Sequence, residues 1–158
     1  MSARLNLLNN TIAGKAMRGI NTASMAVISS GLLPKTTMDL VLLRASQING
    51  CGYCTDIHSK DLTHSGESAT RVNLVSAWRE TTVFTDEERA ALDLAEQGTR
   101  IADTAGGVPH EVWANAATYY DEDQLAALTC LIALINASNR LGVIAAIPGG
   151  GYAPGPFG

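Results

Sequence analysis

Leu125, Leu128, Ile132, Ile135 and Leu141 recur at helical spacing just after Asp121, with Gln124 three residues beyond that acid. Residues three, four and seven apart stack on one side of an α-helix, so this stripe predicts the buried face of a long helix. Asp121 and Gln124 stand where a capping box needs them, each side chain satisfying the other residue's backbone amide. The same signature recurs at Thr85 and Glu88, predicting a helix through Leu92, Leu94 and Ala95 to about residue 102. No segment alternates with the period of two that a half-buried strand requires. The reading is all-α, about six to eight helices in one domain over residues 1–147. A tail at 148–158 is too rich in Pro and Gly to be a regular element, and is either loose or draped over a neighbour.

The remaining segments read less sharply. Residues 2–29 suggest one or two helices, with Leu5, Leu8, Ile12, Met17, Ile20, Met25 and Ile28 at loosely helical spacing and a break near Asn21–Thr22. Pro34 opens the next segment, where Thr36 or Thr37 is the expected cap, Asp39 a first-turn acid, and Leu40, Leu43 and Ser46 share a face. Ala69, Val72, Val75 and Ala77 predict a helix over 67–78, followed by a connection to Phe84. Thr104–Gly107 reads as a loop, and Pro109 as the first helical position of a helix to about residue 119.

Composition narrows the function. The 158 residues carry a net charge of −4 and no cluster of Lys and Arg, which argues against a nucleic-acid partner. No continuous 18-residue apolar run appears, so no membrane span is expected. Met1–Ser30 lacks a secretory apolar core and carries Arg18 and Asn21 midway. A cytoplasmic chain is the default, and there a Cys-x-x-Cys pair reads as metal-binding or redox-active.

That pair is Cys51 and Cys54, followed by His58, within the core motif at 36–66. If a helix starts near Asn49–Gly50, with Asn49 as its cap, all three fall on one face. A helix N-terminus favours thiolate, the nucleophilic form, and His58 lies one turn past Cys54. One thiol can then attack an oxidant and become a sulfenic acid, which the other condenses to a disulfide. Proximity to the helix start favours Cys51 as the more acidic thiol, whereas proximity to His58 favours Cys54. A structural zinc would need four ligands, with His58 third and His64 or Cys130 fourth, but the spacing fits no common zinc module. Cys130, on the apolar stripe of the last helix, reads as a core residue. His64 suits the helix C-terminus, and His110 the surface. Arg44 is expected to pair with Asp39 or Asp56.

The run from Leu43 to His58, L-R-A-S-Q-I-N-G-C-G-Y-C-T-D-I-H, resembles the AhpD-like alkylhydroperoxidase branch of the carboxymuconolactone decarboxylase family. Ile132–Ile144, Trp78–Arg79–Glu80 and the segment from Thr85 to Gln97 resemble other parts of the same pattern. The resemblance implies an AhpD-like helical bundle that assembles as a homo-oligomer, a trimer or hexamer. It implies a thiol-dependent peroxidase without a bound cofactor or metal, reset by an external dithiol such as a lipoyl-bearing or thioredoxin-like protein. It makes Cys54 the attacking thiol, Cys51 the resolving thiol and proton donor, His58 the base, and Asp39 the carboxylate of the proton relay. The family has Glu at that last position, and Asp is shorter by about 1.5 Å. Tyr53 stands where AhpD has a second His, and Ser138 where relatives often have Trp. Asn136, Asn139 and Arg140 are expected to hold helix ends or an interface. Two other readings stay within reach of the sequence: a carboxymuconolactone-decarboxylase-like enzyme, which does not use a Cys pair, and a redox-sensing or assembly protein.

Overall fold

The computed structural model describes residues 2–7 and 9–155. Among the described residues, seven α-helices and one 3-10 turn follow in order: α1 (Thr11–Ile28), α2 (Lys35–Ile48), α3 (Gly52–His64), α4 (Ala69–Leu74), the 3-10 turn (Val75–Glu80), α5 (Asp86–Thr99), α6 (His110–Ala116) and α7 (Glu122–Ile144). No strand occurs among the described residues.

The helix starts follow local chemistry. Thr85 Oγ1 accepts from the Glu88 amide at 3.2 Å while the Thr85 amide donates to Glu88 Oε2 at 2.9 Å. Asp121 and Gln124 make the same reciprocal pair at the head of α7. Asn10 caps α1, accepting from the amides of Ile12 and Ala13. These caps fix where each helix begins because they satisfy amides that have no partner within the helix.

The bundle is organised around α2. Every residue from Thr37 to Leu43 is buried, as are Ala45 and Ser46. One side of α2, with Met38, Val41, Leu42 and Ala45, packs into a core shared with α5, α6 and α7. The other side gives Leu40 and Leu43 to a second core with Leu62, Val72, Val75, Trp78, Phe84 and Leu92. A helix that gives apolar side chains to two cores belongs in an interior.

Several expectations are corrected. α1 runs unbroken through Asn21 and Thr22, since their helix-propensity deficit, below about 0.7 kcal/mol each, is too small to end it. Its apolar stripe is largely uncovered in one chain: Ile12 is 75% and Met25 56% exposed, and Gly14 is the buried residue of the helix. Leu8 of that stripe lies outside the described residues. Pro34, not a threonine, precedes α2, so Asp39 sits one turn inside rather than in the first turn. The helix expected over 67–78 breaks at Leu74 and tightens into the 3-10 turn. That turn buries Trp78 and lets its Nε1 donate to Glu96 Oε2 at 3.0 Å. Pro109 is the cap of α6 rather than its first residue, and α6 stops at Ala116. α7 is long and apolar enough to cross a membrane by length and composition, which a search for continuous apolar runs passes over. Its Leu125, Leu128, Leu131, Ile132 and Ile135 belong to the core.

Candidate active site

Gly50 makes the site possible. α2 ends at Ile48 with Asn49 as its C-cap, and Gly50 takes φ +66° to turn the chain into α3. This corrects the expected helix start: Asn49 closes α2, and the N-cap of α3 is Cys51 itself. The Cys51 sulfur accepts from the Cys54 amide at 3.3 Å, so it sits against the positive end of the α3 dipole. Cys51 and Cys54 are joined as a disulfide.

Asparagines hold the turn behind it. Asn49 Nδ2 donates to Asn136 Oδ1 and Asn139 Oδ1, each at 2.9 Å, and the fully buried Asn139 donates to Ser46 Oγ at 3.1 Å. The asparagines of the closing block therefore tie α7 to the α2–α3 junction. Gly142, one turn further along α7, abuts the sulfurs: a Cβ there would stand 2.9 Å from Cys51 Sγ and 3.7 Å from Cys54 Sγ. A Cβ at Gly149 would collide with the Gly52 carbonyl. Sequence reasoning passed over both glycines. The signal was a glycine inside the apolar α7 pattern, which marks a close approach.

The two sulfurs face different surroundings. Cys54 lines a cavity of about 290 Å³, whereas Cys51, at 1% exposure, is packed behind it. The cavity walls are largely apolar, with Leu42, Ile57, Leu131 and Ile135 from the bundle and Met17 and Ile20 from α1. His58, Tyr53 and Ser138 also line it.

His58 is half-buried, and its Nδ1 is enclosed without a hydrogen-bond partner among the described residues. Burial lowers its pKa to about 4, against the opposing pull of Asp61, so the ring is neutral at physiological pH. Asp39 is held by Lys35 Nζ at 2.6 Å. Burial raises the Asp39 pKa, and the contacts with Lys35 offset only part of that effect. No hydrogen bond joins Asp39 to His58 among the described residues, although both share their surroundings with Lys35 and Asp61.

Other expected placements change. Arg44 meets neither Asp39 nor Asp56. Its guanidinium donates twice to Glu96 Oε2, at 3.1 and 2.8 Å, and to the Ser76 carbonyl at 3.1 Å. Cys130 is exposed, because the buried stripe of α7 passes through Leu128, Leu131 and Ile132 instead. His64 lies in the last turn of α3, and His110 is exposed. No group of three or more His, Cys, Asp or Glu among the described residues is placed to hold a metal ion.

The C-terminal segment is draped over α3. The amides of Gly150 and Tyr152 donate to Asp56 Oδ2 at 2.7 and 3.1 Å, and Lys60 Nζ donates to the Tyr152 carbonyl at 2.7 Å.

A disulfide at a helix N-terminus, facing an apolar cavity and a neutral imidazole within an all-α bundle, defines an AhpD-like dithiol protein. The chain belongs to the carboxymuconolactone decarboxylase family, which residues 14–97 match. It is 38% identical over 109 residues to the uncharacterised protein YdfG of Bacillus subtilis, covering 69% of this chain and 73% of that one. A crystal structure of a protein of unknown function from Agrobacterium tumefaciens superposes with a TM-score of 0.87 at 32% identity, covering 96% of this chain and all of that one. The alkyl hydroperoxide reductase AhpD of Methylocella silvestris is 50% identical over 42 residues, 27% of this chain and 24% of that protein.

Proposed function

We propose that this protein is a thiol-dependent peroxidase that reduces hydroperoxides through the Cys51–Cys54 pair. The observation that carries the reading is that Cys54, and not Cys51, lines the cavity that His58 also lines. That asymmetry supports Cys54 as the attacking thiol, where helix position alone favours neither.

In the reduced protein, neutral His58 takes the Cys54 proton. The thiolate attacks the terminal oxygen of the hydroperoxide, the O–O bond breaks, and Cys54 becomes a sulfenic acid. The alkoxide leaves with the bonding electron pair and takes a proton from the Cys51 thiol. Cys51 thiolate then attacks the Cys54 sulfur, the S–S bond forms, and the departing hydroxide takes the proton held by His58 and leaves as water. An external dithiol, lipoyl-bearing or thioredoxin-like, reduces the disulfide by exchange and is itself oxidised. The cycle uses no bound cofactor, and its dependence on a cellular dithiol suits the cytoplasm. Exposed apolar residues on α1 and α7, Ile12, Met25 and Ile144 among them, support a homo-oligomer, a trimer or hexamer.

The test is single-turnover oxidation. Reduced protein is mixed with cumene hydroperoxide or hydrogen peroxide, thiols are counted, and the product is mapped by mass spectrometry. Loss of two thiols per chain with a Cys51–Cys54 disulfide is the expected result. Thiols inert to both oxidants would overturn the peroxidase reading and favour the redox-sensing or assembly role.

A further inference from the structure

Asp61 lies three residues after His58 on α3, so the two side chains are neighbours on one face of the helix. Asp61 is half-buried, and its Oδ1 accepts a hydrogen bond from the Tyr152 hydroxyl at 2.8 Å. Tyr152 belongs to the C-terminal segment, which is locked in place from two sides. Asp56 Oδ2 accepts from the amides of Gly150 and Tyr152, and Lys60 Nζ donates to the carbonyls of Gly150 and Tyr152, at 3.4 and 2.7 Å. Lys60 and Asp56 are themselves paired at 2.7 Å, one turn apart on α3. The segment thus places one phenol on one carboxylate beside the imidazole.

The competing carboxylate is differently occupied. Asp39, on α2, is bound to Lys35 at 2.6 Å, whereas Asp61 is held by a neutral phenol; neither carboxylate makes a hydrogen bond with His58 among the described residues. The charged groups that act on His58 are Asp61 from its own helix and Lys35 from α2; Asp39 is paired with Lys35, Tyr152 with Asp61, and Tyr53 shares the cavity wall.

From this arrangement we infer that Asp61, held by Tyr152 of the C-terminal segment, is the positioning carboxylate for His58, and that the segment is a working part of the active site. The inference rests on the peroxidase reading for its catalytic meaning, but the pairing itself is a statement about His58. Physical chemistry agrees with the geometry. Among the charges near His58, Asp61 opposes the lowering of its pKa, whereas Lys35 adds to it. Burial and the bond to Asp61 push the Tyr152 phenol up to about 12, so it stays a donor throughout the working range. A carboxylate fixed beside an imidazole orients the ring and raises its basicity, while a carboxylate neutralised by its own lysine does so less.

The experiment compares Asp61→Asn, Asp61→Glu, Tyr152→Phe and Asp39→Asn in the full chain by two readouts. The first is the titration of the His58 ring in isotope-labelled, oxidised protein, which needs no peroxidase activity. The second is the pH dependence of single-turnover thiol oxidation. Asp61→Asn is expected to move the His58 titration to lower pH and to slow oxidation severalfold, by at least as much as Tyr152→Phe does. Asp61→Glu is expected to recover part of both. Tyr152→Phe, which leaves the fold and every charge intact, is expected to slow oxidation severalfold. Asp39→Asn is expected to shift the His58 titration less than Asp61→Asn does. An unchanged His58 titration in Asp61→Asn, or a larger shift in Asp39→Asn, would overturn the inference. If the wild-type thiols are inert to hydroperoxide while the His58 titration still responds to Asp61, the peroxidase reading fails and the pairing stands.

Discussion

Two carboxylate networks sit on opposite sides of α2, and they differ in how completely they are satisfied. On one side Glu96 Oε2 accepts from Arg44 Nε, Arg44 Nη2 and Trp78 Nε1, all within 3.1 Å. Arg44 also donates to Ser76, so every partner is engaged and the network staples α2, α5 and the 3-10 turn together. Burial works against the Glu96 charge, yet Arg44 and Trp78 hold its pKa below the ordinary value. On the other side, Lys35 holds Asp39 and Tyr152 holds Asp61, while the enclosed Nδ1 of His58, which lines the cavity with Cys54, has no partner among the described residues. A closed network fixes structure, whereas an open one with a neutral imidazole keeps capacity for proton transfer.

The largest effect expected on the open side is loss of chemistry. Cys54→Ser should abolish peroxide consumption while leaving thermal unfolding of the reduced protein nearly unchanged, and Cys51→Ser should trap a sulfenic acid that dimedone labels. Full activity in Cys54→Ser would reverse the roles of the thiols. On the closed side, Glu96→Ala should cost about 3–5 kcal/mol in urea unfolding, because it leaves the enclosed Arg44 cation without its counter-charge. If the closed network is purely structural, that variant keeps its thiol reactivity at temperatures where it is folded.

Gly142→Ala tests the packing between the two sides. A methyl group facing Cys51 Sγ at 2.9 Å overpacks the site, and about 1–3 kcal/mol of destabilisation is expected in the oxidised protein. A neutral or stabilising result, as Ala gives at an ordinary helix position, would show that α7 can move away from the sulfurs.

The smallest effects concern the open network itself. Lys35 is 57% exposed, so its pair with Asp39 contributes at most about 1 kcal/mol, and Asp39→Asn should leave Tm within about 4 °C of the parent. The pH dependence separates the two networks by sign and window. His58 has a folded pKa of about 4 against an ordinary 6.5, so its contribution is complete above pH 6.5 and is lost as pH falls towards 4. Glu96 is also lowered on folding, so its contribution is present above its ordinary 4.5 and is lost below that. Urea midpoints measured against pH should therefore decline in two stages, and His58→Gln should remove the upper one.

Much of this was legible in the residues. Local hydrogen bonding within four residues specifies both capping boxes, and helical spacing of apolar residues specifies the buried stripe of α7. The spacing of Cys51, Cys54 and His58 announced a thiol site because α3 carries Cys54 and His58 and Cys51 caps it. The errors were of two kinds. Asn49 looked like an N-cap but closes α2, since the same residue type suits either end of a helix and the positive φ of Gly50 decides between them. Cys130 looked like core because helical spacing reports that a face is apolar, not what covers it.

The sequence alone determined where α5 and α7 start and that two thiols and an imidazole sit near a helix start, because these depend on neighbours within about one turn. Tertiary structure alone decided which sulfur meets the cavity, that Arg44 serves Glu96, that Gly142 abuts the disulfide, and that Tyr152 reaches Asp61 from 91 positions away. Such contacts depend on how helices distant in the chain pack side by side, and no local pattern of residues encodes that distance.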